Sequence, residues 1–387
     1  MKIGIEGQRL FRKKKHGMDV VALELIRNLQ LIDKENEYII FVKPGEDDTI
    51  LKESGNFRIE RLEAGSYPFW EQFALPEAAK KAGCEILHCT SNTAPVNTSI
   101  PLVVTLHDII YMEKTYPDIL RGSGSNYQKF GNIYRRYVVP RILRKSKKII
   151  TVSHSEKDRI GDFFGIRGDS RLIAVYNGVS EHFIPVTDPG ELKRVKDKYN
   201  LPDRFFFFFG NTDPKKNTKG TLAAFSGFIK NTGSGIRLFM PDFDRGELRK
   251  ILEEIGDREL ENSILLPGYI VNTDLPAIYS QCEVFLYPSL RESFGIPMLE
   301  AMSCGAPVIT SNISCMPEIA DTAACLADPY FPEAITSAMM HITEDKDYRN
   351  DLVEKGFARA KHFSWRAMAE EILAIYKEIA MEKNNHK

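Results

Sequence analysis

The chain has 387 residues, of which 43% are apolar and 27% charged, and its formal net charge is −1. That length exceeds one ordinary compact core and points to two domains. The even charge balance gives no overall pull toward nucleic acid.

Met1 and Lys2 lead straight into a short apolar strand, with no signal-peptide pattern and no apolar run long enough to span a bilayer. Six cysteines (84, 89, 282, 304, 315, 325) form no C-x-x-C pair, which favours a reducing cytoplasm. "CEILHC" (84–89) reads as a buried structural cluster, because two sulfurs around a strand make a poor zinc site. Two runs are locally basic: "RLFRKKKH" (9–16) with five cations and "YRRYVVPRILRKSKK" (134–148) with seven, neither containing an acid. They read as a solvated loop and a solvated helix face, or else as a surface for anionic lipid or an anionic substrate.

In chain order, "KIGIEG" predicts a strand and "GMDVVALELIRNLQLI" an amphipathic helix. "EYIIFVK", "EILHCT", "PLVVTLHD", "KKIITVS" and "RLIAVYNGV" (171–179) are further short buried strands. A second series begins after a join near 183–190. "RFFFFFGN" (204–211) predicts a central strand buried on both faces, followed by the helix "TKGTLAAFSGFIKN". Then come strand "GIRLFM", helix "RGELRKILEEIG", strand "NSILLPGYI", helix "DLPAIYSQC" and strands "EVFLYPS" and "APVITSN". Two βα series imply an α/β protein of two doubly wound Rossmann-like domains facing across a cleft that holds the site. The expected boundaries are 1–184 and 185–365. A final helix over 366–387 is expected to pack back on the first domain, with its "MEKNNHK" end frayed.

Chemistry concentrates in "LRESFGIPMLEAMSCGAPVIT" (290–310). Pro297 at a helix start and Gly305 past its end predict a helix over 297–303. Its start would present the backbone N–H groups of Phe294, Gly295 and Ile296 with the positive end of the helix dipole, which is an anion site. Glu292 lies ahead of the helix, where it can face whatever the phosphate carries. Glu300 lies in the first turns, where a carboxylate can accept two hydroxyls of a ribose. Eight residues across a loop and a helical turn would not give the roughly 5–5.5 Å between carboxyls that a retaining glycosidase needs.

"ESFGIPMLEAMSCGAPVITSNISCMPEIA" resembles the signature of family 4 retaining nucleotide-sugar glycosyltransferases (glycosyltransferase group 1), which have the GT-B fold. Further landmarks resemble that family in the same order. They are "HGMDVVALELIRNL", "VVTLHDIIY", "ITVSHSEKDRI", "VYNGV", "FFGNTDPKKNTKGTLAAF", "LPGYIVNTDLPAIYSQCEVFLYPS" and "FSWRAMAEEIL".

The resemblance implies that Glu292 contacts hydroxyls of the donor sugar near the reacting carbon and that Glu300 binds the ribose. It also implies that the amides of 294–296 hold the distal phosphate. Lys216 matches the phosphate-binding lysine, His107 the histidine beside the donor sugar, and Gly17 the glycine loop approaching the phosphates. Where many members carry arginine this chain has Asn211, which can hydrogen-bond phosphate but cannot neutralise it, so Lys215 would supply the second cation. Asp321 stands where glycine is more usual.

The implied activity is metal-independent transfer of a hexose, of mannose or glucose type, from a nucleotide diphosphate sugar to an acceptor hydroxyl. Configuration would be retained, by front-face displacement with domain closure, in polysaccharide or glycolipid synthesis. No cofactor is expected; the donor, GDP-mannose or a UDP-hexose, is a substrate. The acceptor would be a sugar or a lipid-linked sugar, with no nucleic acid involved, and the protein cytoplasmic or peripheral on the inner membrane face. Alternatives are a nucleotide-sugar epimerase on the same fold and a silent nucleotide-sugar binding subunit. Nicotinamide chemistry is disfavoured, since "GIEGQRL" after the first strand lacks G-x-G-x-x-G. "PDFDRGE" (241–247) contains an Asp-x-Asp, but Asp242 and Asp244 are expected to shape a turn or cap a helix rather than hold metal.

Overall fold

The computed structural model describes residues 1–113, 117 and 126–385, and their side chains except those of 126–128 and 383–385. The chain forms two compact units, Met1–Gly178 with Trp365–Lys387, and Val179–Ser364.

The first unit holds parallel strands β1 (Lys2–Glu6), β2 (Glu37–Val42), β3 (Phe57–Arg61), β4 (Ile86–Cys89), β5 (Leu102–Thr105), β6 (Lys148–Thr151) and β7 (Leu172–Ala174). Their order is β3-β2-β1-β4-β5-β6-β7, so strand order reverses between β1 and β4. Residues of β4, β5 and β6 are buried throughout, as expected for strands covered by helices on both faces.

The helix Trp365–Asn385 belongs to this unit and packs on the helix Gly17–Ile32. Tyr376 on that helix places its hydroxyl on His88 Nδ1, whose Nε2 meets Thr105 Oγ1 at 2.8 Å, and burial holds this imidazole down to a pKa of about 3. Cys84 and Cys89 are buried free thiols in the apolar core of this unit. The tail expected to fray from Met381 is helical through Asn385; residues 386–387 lie outside the described ones.

The second unit holds β8 (Phe205–Phe208), β9 (Arg237–Phe239), β10 (Ile264–Leu265), β11 (Val284–Tyr287), β12 (Val308–Ser311) and β13 (Cys325–Ala327), ordered β10-β9-β8-β11-β12-β13. All pair in parallel. The phenylalanine run fills both sides of the central strand: Phe206 meets Phe225 and Phe228, while Phe207 meets Phe239, Tyr279 and Phe285. Order reverses between β8 and β11. Ligands of open parallel sheets bind beyond the strand carboxyl ends at such a reversal, so the loops after β8 and β11 are where this unit offers a site.

Two edge strands, β3 and β13, are additions to the elements expected from sequence. The basic stretch 134–148 lies mostly on the helix Asn126–Lys145, which tolerates Pro140 in its interior. Several of its cations are engaged: Arg136 donates to Tyr111 O at 3.0 Å, Lys145 to Val96 O at 2.7 Å, and Lys148 pairs with Glu378 at 2.6 Å. In the other basic run, Lys15 pairs with Asp47 and Lys13 lies 3.8 Å from Glu46.

Candidate active site

After β8 the chain makes a short 3-10 turn, Pro214–Lys216, which Asp213 caps by accepting from Lys215 N at 3.2 Å. Asn217 follows with φ +55. Its Nδ2 donates to Pro288 O at 3.1 Å and Pro329 O at 2.8 Å, and Leu290 N donates to Lys215 O at 2.7 Å. These bonds tie the loop after β8 to the loop after β11. The result is a contact between the ends of two side chains: Lys216 Nζ is ion-paired with Glu292, 3.4 Å from the Tyr287 hydroxyl and 5.1 Å from the centre of its ring. Both partners are mostly buried, with side-chain exposures of 19% and 13%. Ser314, at φ +61, fixes the Glu292 backbone by donating to its carbonyl at 2.8 Å.

The helix beyond runs Ile296–Ser303, one residue earlier than the spacing predicts. Gly295 precedes it at φ +97, a left-handed conformation that a side chain would strain. The N–H groups of the first turn have no carbonyl partner within the helix, and they carry its positive dipole end. Phe294 is buried edge-on against Phe363, with centroids 5.6 Å apart. Glu300 follows one turn into the helix, where Tyr279 donates to its Oε2 at 3.4 Å and burial raises its carboxyl to a pKa of about 7. Asn211 is exposed, its Oδ1 accepting from Asp213 N at 2.9 Å, and Lys215 Nζ lies 3.8 Å from Asp213 Oδ2. The loops thus bring Lys216, Glu292 and Tyr287 into contact, with Asn211 and Lys215 on the β8 side and residues 294–296 and Glu300 on the β11 side.

In the first unit, His107 lies just beyond β5. Its N–H donates to Asn92 Oδ1 at 2.6 Å and its Nε2 lies 2.9 Å from Thr90 O. A carbonyl only accepts, so Nε2 carries the proton and Nδ1 keeps a lone pair. Burial lowers its pKa, so the ring is a neutral acceptor at pH 7. Gly17 opens its helix exposed, and a Cβ added there would meet nothing within 4 Å. The space above it is open to a ligand.

Asp244 caps the helix Arg245–Glu254, accepting from Glu247 N at 2.9 Å, and Asp242 turns the chain at φ +51. Neither joins a cluster of three or more metal-ligating side chains among the described residues. Sequence reasoning missed Tyr287, Tyr279, Asn217 and Ser314. The polar signals were there, in "FLYP", "PKKN" and "NISC", but their partners lie on other loops.

Parallel-sheet units carrying such loops at their strand-order reversals define a fold class, and solved structures of that class match. HepE of Anabaena, crystallised with UDP and glucose, superposes with a TM-score of 0.72 at 16% identity, covering 98% of this chain and 100% of that one. Sucrose-phosphate synthase of Thermosynechococcus elongatus superposes with a TM-score of 0.70 at 18% identity, covering 98% and 99%. The fold is GT-B.

Residues 191–359 match the family model for glycosyl transferases group 1, and residues 16–183 match that for Glycosyltransferase Family 4. The chain belongs to this family of glycosyltransferases. O-antigen chain mannosyltransferase B of Escherichia coli is 33% identical over 237 residues, 61% of each chain. A serotype-specific mannosyltransferase WbdA of Escherichia coli is 28% identical over 224 residues, 57% of this chain and 27% of that protein. These two alignments therefore span less than two thirds of the relatives' own lengths. O-antigen chain mannosyltransferase RfbU of Salmonella typhimurium is 25% identical over 311 residues, 79% of this chain and 78% of the relative. No described helix is long and apolar enough to cross a membrane.

Proposed function

We propose that this protein transfers a hexosyl group, mannose in the first instance, from a nucleoside diphosphate sugar to an acceptor hydroxyl with retention of configuration. The observation that carries the reading is the Lys216–Glu292 pair between the loops after β8 and β11, with a helix start and Glu300 beyond it. The names of the O-antigen mannosyltransferases it resembles support mannose as the sugar, and GDP-mannose and a UDP-hexose are the donors to be compared.

In this reading the donor diphosphate lies against the amides of 294–296 and takes Lys216 from Glu292. The freed carboxylate turns to sugar hydroxyls. Glu300 accepts from the ribose and His107 Nδ1 from a donor-sugar hydroxyl. Lys215 and Asn211 add to the phosphate grip, and Gly17 leaves room for it. The bond from C1 to the diphosphate oxygen breaks while the acceptor oxygen bonds C1 on the same face. The departing phosphate oxygen takes the acceptor proton, and the charge left on it is offset by Lys216 and the helix dipole. No step requires a metal.

The acceptor is a sugar or lipid-linked sugar, and the exposed Tyr137 within the basic stretch 134–148, with Phe130 and Ile133 just ahead of it, suits contact with an anionic membrane face. The test is a thermal-shift and saturation-transfer NMR screen against GDP- and UDP-sugars, followed by NMR of the anomeric product. Binding without turnover would favour a silent binding subunit. Release of an isomeric sugar without acceptor would favour an epimerase. Absence of binding to any nucleotide sugar would defeat the reading.

A further inference from the structure

The contact between Lys216 and Glu292 has a third member. Tyr287 ends β11, and its hydroxyl accepts from Lys216 Nζ at 3.4 Å, with the ring centre 5.1 Å from the same nitrogen. A hydroxyl that accepts from an ammonium turns its own proton elsewhere, and the Glu292 carboxylate is an acceptor within reach. Burial first, and then the charge of Glu292, holds this phenol well above its ordinary range, so the proton stays on oxygen and can be donated.

The phenol is fixed. Tyr287 is 3% exposed, its ring stacks on Phe285 with centroids 5.7 Å apart, and Thr310 Oγ1 donates to its carbonyl at 3.0 Å. A Cβ added to Gly295 would meet Cε1 of the ring at 3.5 Å, so the ring backs directly onto the helix start. The Glu292 backbone is held as well, its carbonyl accepting from Arg291 Nη1 at 2.8 Å in addition to Ser314. Movement at this contact is left to the side chains of Lys216 and Glu292. A phenylalanine would fill the space of Tyr287, and a buried hydroxyl costs free energy unless it is bonded. The hydroxyl therefore calls for a reason of its own.

We infer that Tyr287 is a positioning residue: its phenol keeps hold of one Glu292 oxygen when Lys216 turns to the donor diphosphate, so that the other oxygen is aimed at the donor sugar. The inference deepens the proposed transferase reading and rests on it for the donor; the hold of the phenol on the carboxylate stands by itself. Without the phenol, Glu292 would lose its last side-chain donor at the moment Lys216 left.

Melting curves of the full chain test the hold. Lys216→Met removes the ammonium from Glu292, as the diphosphate would, and leaves the phenol as its donor. In that background Tyr287→Phe should lower Tm by about 3 °C or more beyond what it costs in the wild type, because a hydrogen bond to a charged group is lost. In Lys216→Met, Glu292→Gln this excess should vanish. An equal loss in all three backgrounds would reduce the hydroxyl to core packing and overturn the inference.

Calorimetric titration tests the positioning. A bare nucleoside diphosphate draws Lys216 away and offers Glu292 nothing in return, whereas a nucleotide sugar offers it hydroxyls. The pairs are GDP with GDP-mannose and UDP with UDP-glucose, and the one used is the pair that the wild type binds. Tyr287→Phe should weaken the bare nucleotide by about tenfold or more and its sugar by about threefold or less. A merely structural change would weaken both alike. Equal factors, or a larger one for the nucleotide sugar, would sink the proposal. A wild type that binds no nucleotide sugar counts against the proposed function alone, and the melting curves still decide whether the phenol holds Glu292.

Discussion

Lys216 and Glu292 stand 76 residues apart in the chain and meet as an ion pair where strand order reverses between β8 and β11. Each neutralises a mostly buried partner, and in the proposed reading the lysine waits there for the donor diphosphate. Lys216→Ala should cost roughly 10²-fold or more in turnover. It should also destabilise the protein by about 1–3 kcal/mol, because Glu292 is left without its cation. The double variant Lys216→Met, Glu292→Gln should recover much of that stability while turnover stays low. Paired kcat and Tm measurements decide, and a double variant that regains turnover would contradict the assigned roles.

Glu300 gives the second prediction. Burial holds its carboxyl at about 7 against an ordinary 4.5, so between those values the folded protein keeps a proton that the unfolded chain has lost. Stability from this group therefore falls as pH rises through 4.5 to 7 and is level above. At 1.36 kcal/mol for each pH unit the loss is about 3 kcal/mol. Glu300→Gln should be indistinguishable from wild type in Tm at pH 4 and more stable at pH 8. Nucleotide affinity of the wild type should rise from pH 6 to 8 as the carboxylate forms, and in the variant it should be weak and flat. Titrations at the three pH values check both.

Asp321 carries the third. It ends the helix Met316–Ala320 at φ +51, ψ −124, and Ala323 N closes on Ala320 O at 2.9 Å. Those angles are the first corner of a type II′ turn, which glycine favours. The residue is exposed, so little is lost with the side chain. Asp321→Gly should raise stability by about 1 kcal/mol, read as a higher Tm with unchanged kcat. A fall in Tm would show that the aspartate has another purpose.

The fourth concerns metal. Transfer should persist in excess EDTA. Asp244→Ala should cost about 1 kcal/mol of stability through the lost cap without slowing the reaction. Activity lost in EDTA and restored by Mn²⁺ or Mg²⁺ would refute the mechanism.

The fifth concerns the membrane. Tyr137 is 58% exposed, with the Arg141 guanidinium 3.6 Å from its ring centre. Sedimentation with anionic vesicles should be strong at low salt, weak at high salt, and reduced in Phe130→Ser, Tyr137→Ser. Equal binding to neutral and anionic vesicles would assign the basic stretch to ordinary surface charge.

The central strands were legible because they are apolar on both faces, and the phenylalanine run β8 is the clearest case. Strands β3 and β13 were not. "FRIER" and "CLA" lie at sheet edges, where one or more positions face solvent and the apolar signal thins. In the site, Glu292, Glu300 and Gly295 were readable from their spacing about a helix start. The pairing of Lys216 with Glu292 was not, because Asn217 sets it through bonds to carbonyls 71 and 112 residues away. The two tyrosines that donate to the buried Glu71, Tyr67 and Tyr134, escaped for a similar reason: Tyr134 meets that carboxylate from 63 residues further along the chain. Asp321 looked like an unexplained departure until its backbone angles gave it a cause.

The second unit begins and ends at one spot: Val179 bridges to Ser364, and Val179 N donates to Phe363 O at 3.2 Å. On a ribosome, residues 179–364 can therefore close into a finished body while the first unit still lacks its last helix. Until Tyr376 emerges, His88 has no phenol to meet and the helix Gly17–Ile32 shows a bare apolar flank. The half synthesised first is thus the half completed last. A nascent chain stalled before Trp365 would expose this gap to chaperones, and a separately supplied peptide of residues 365–387 is the natural means of filling it.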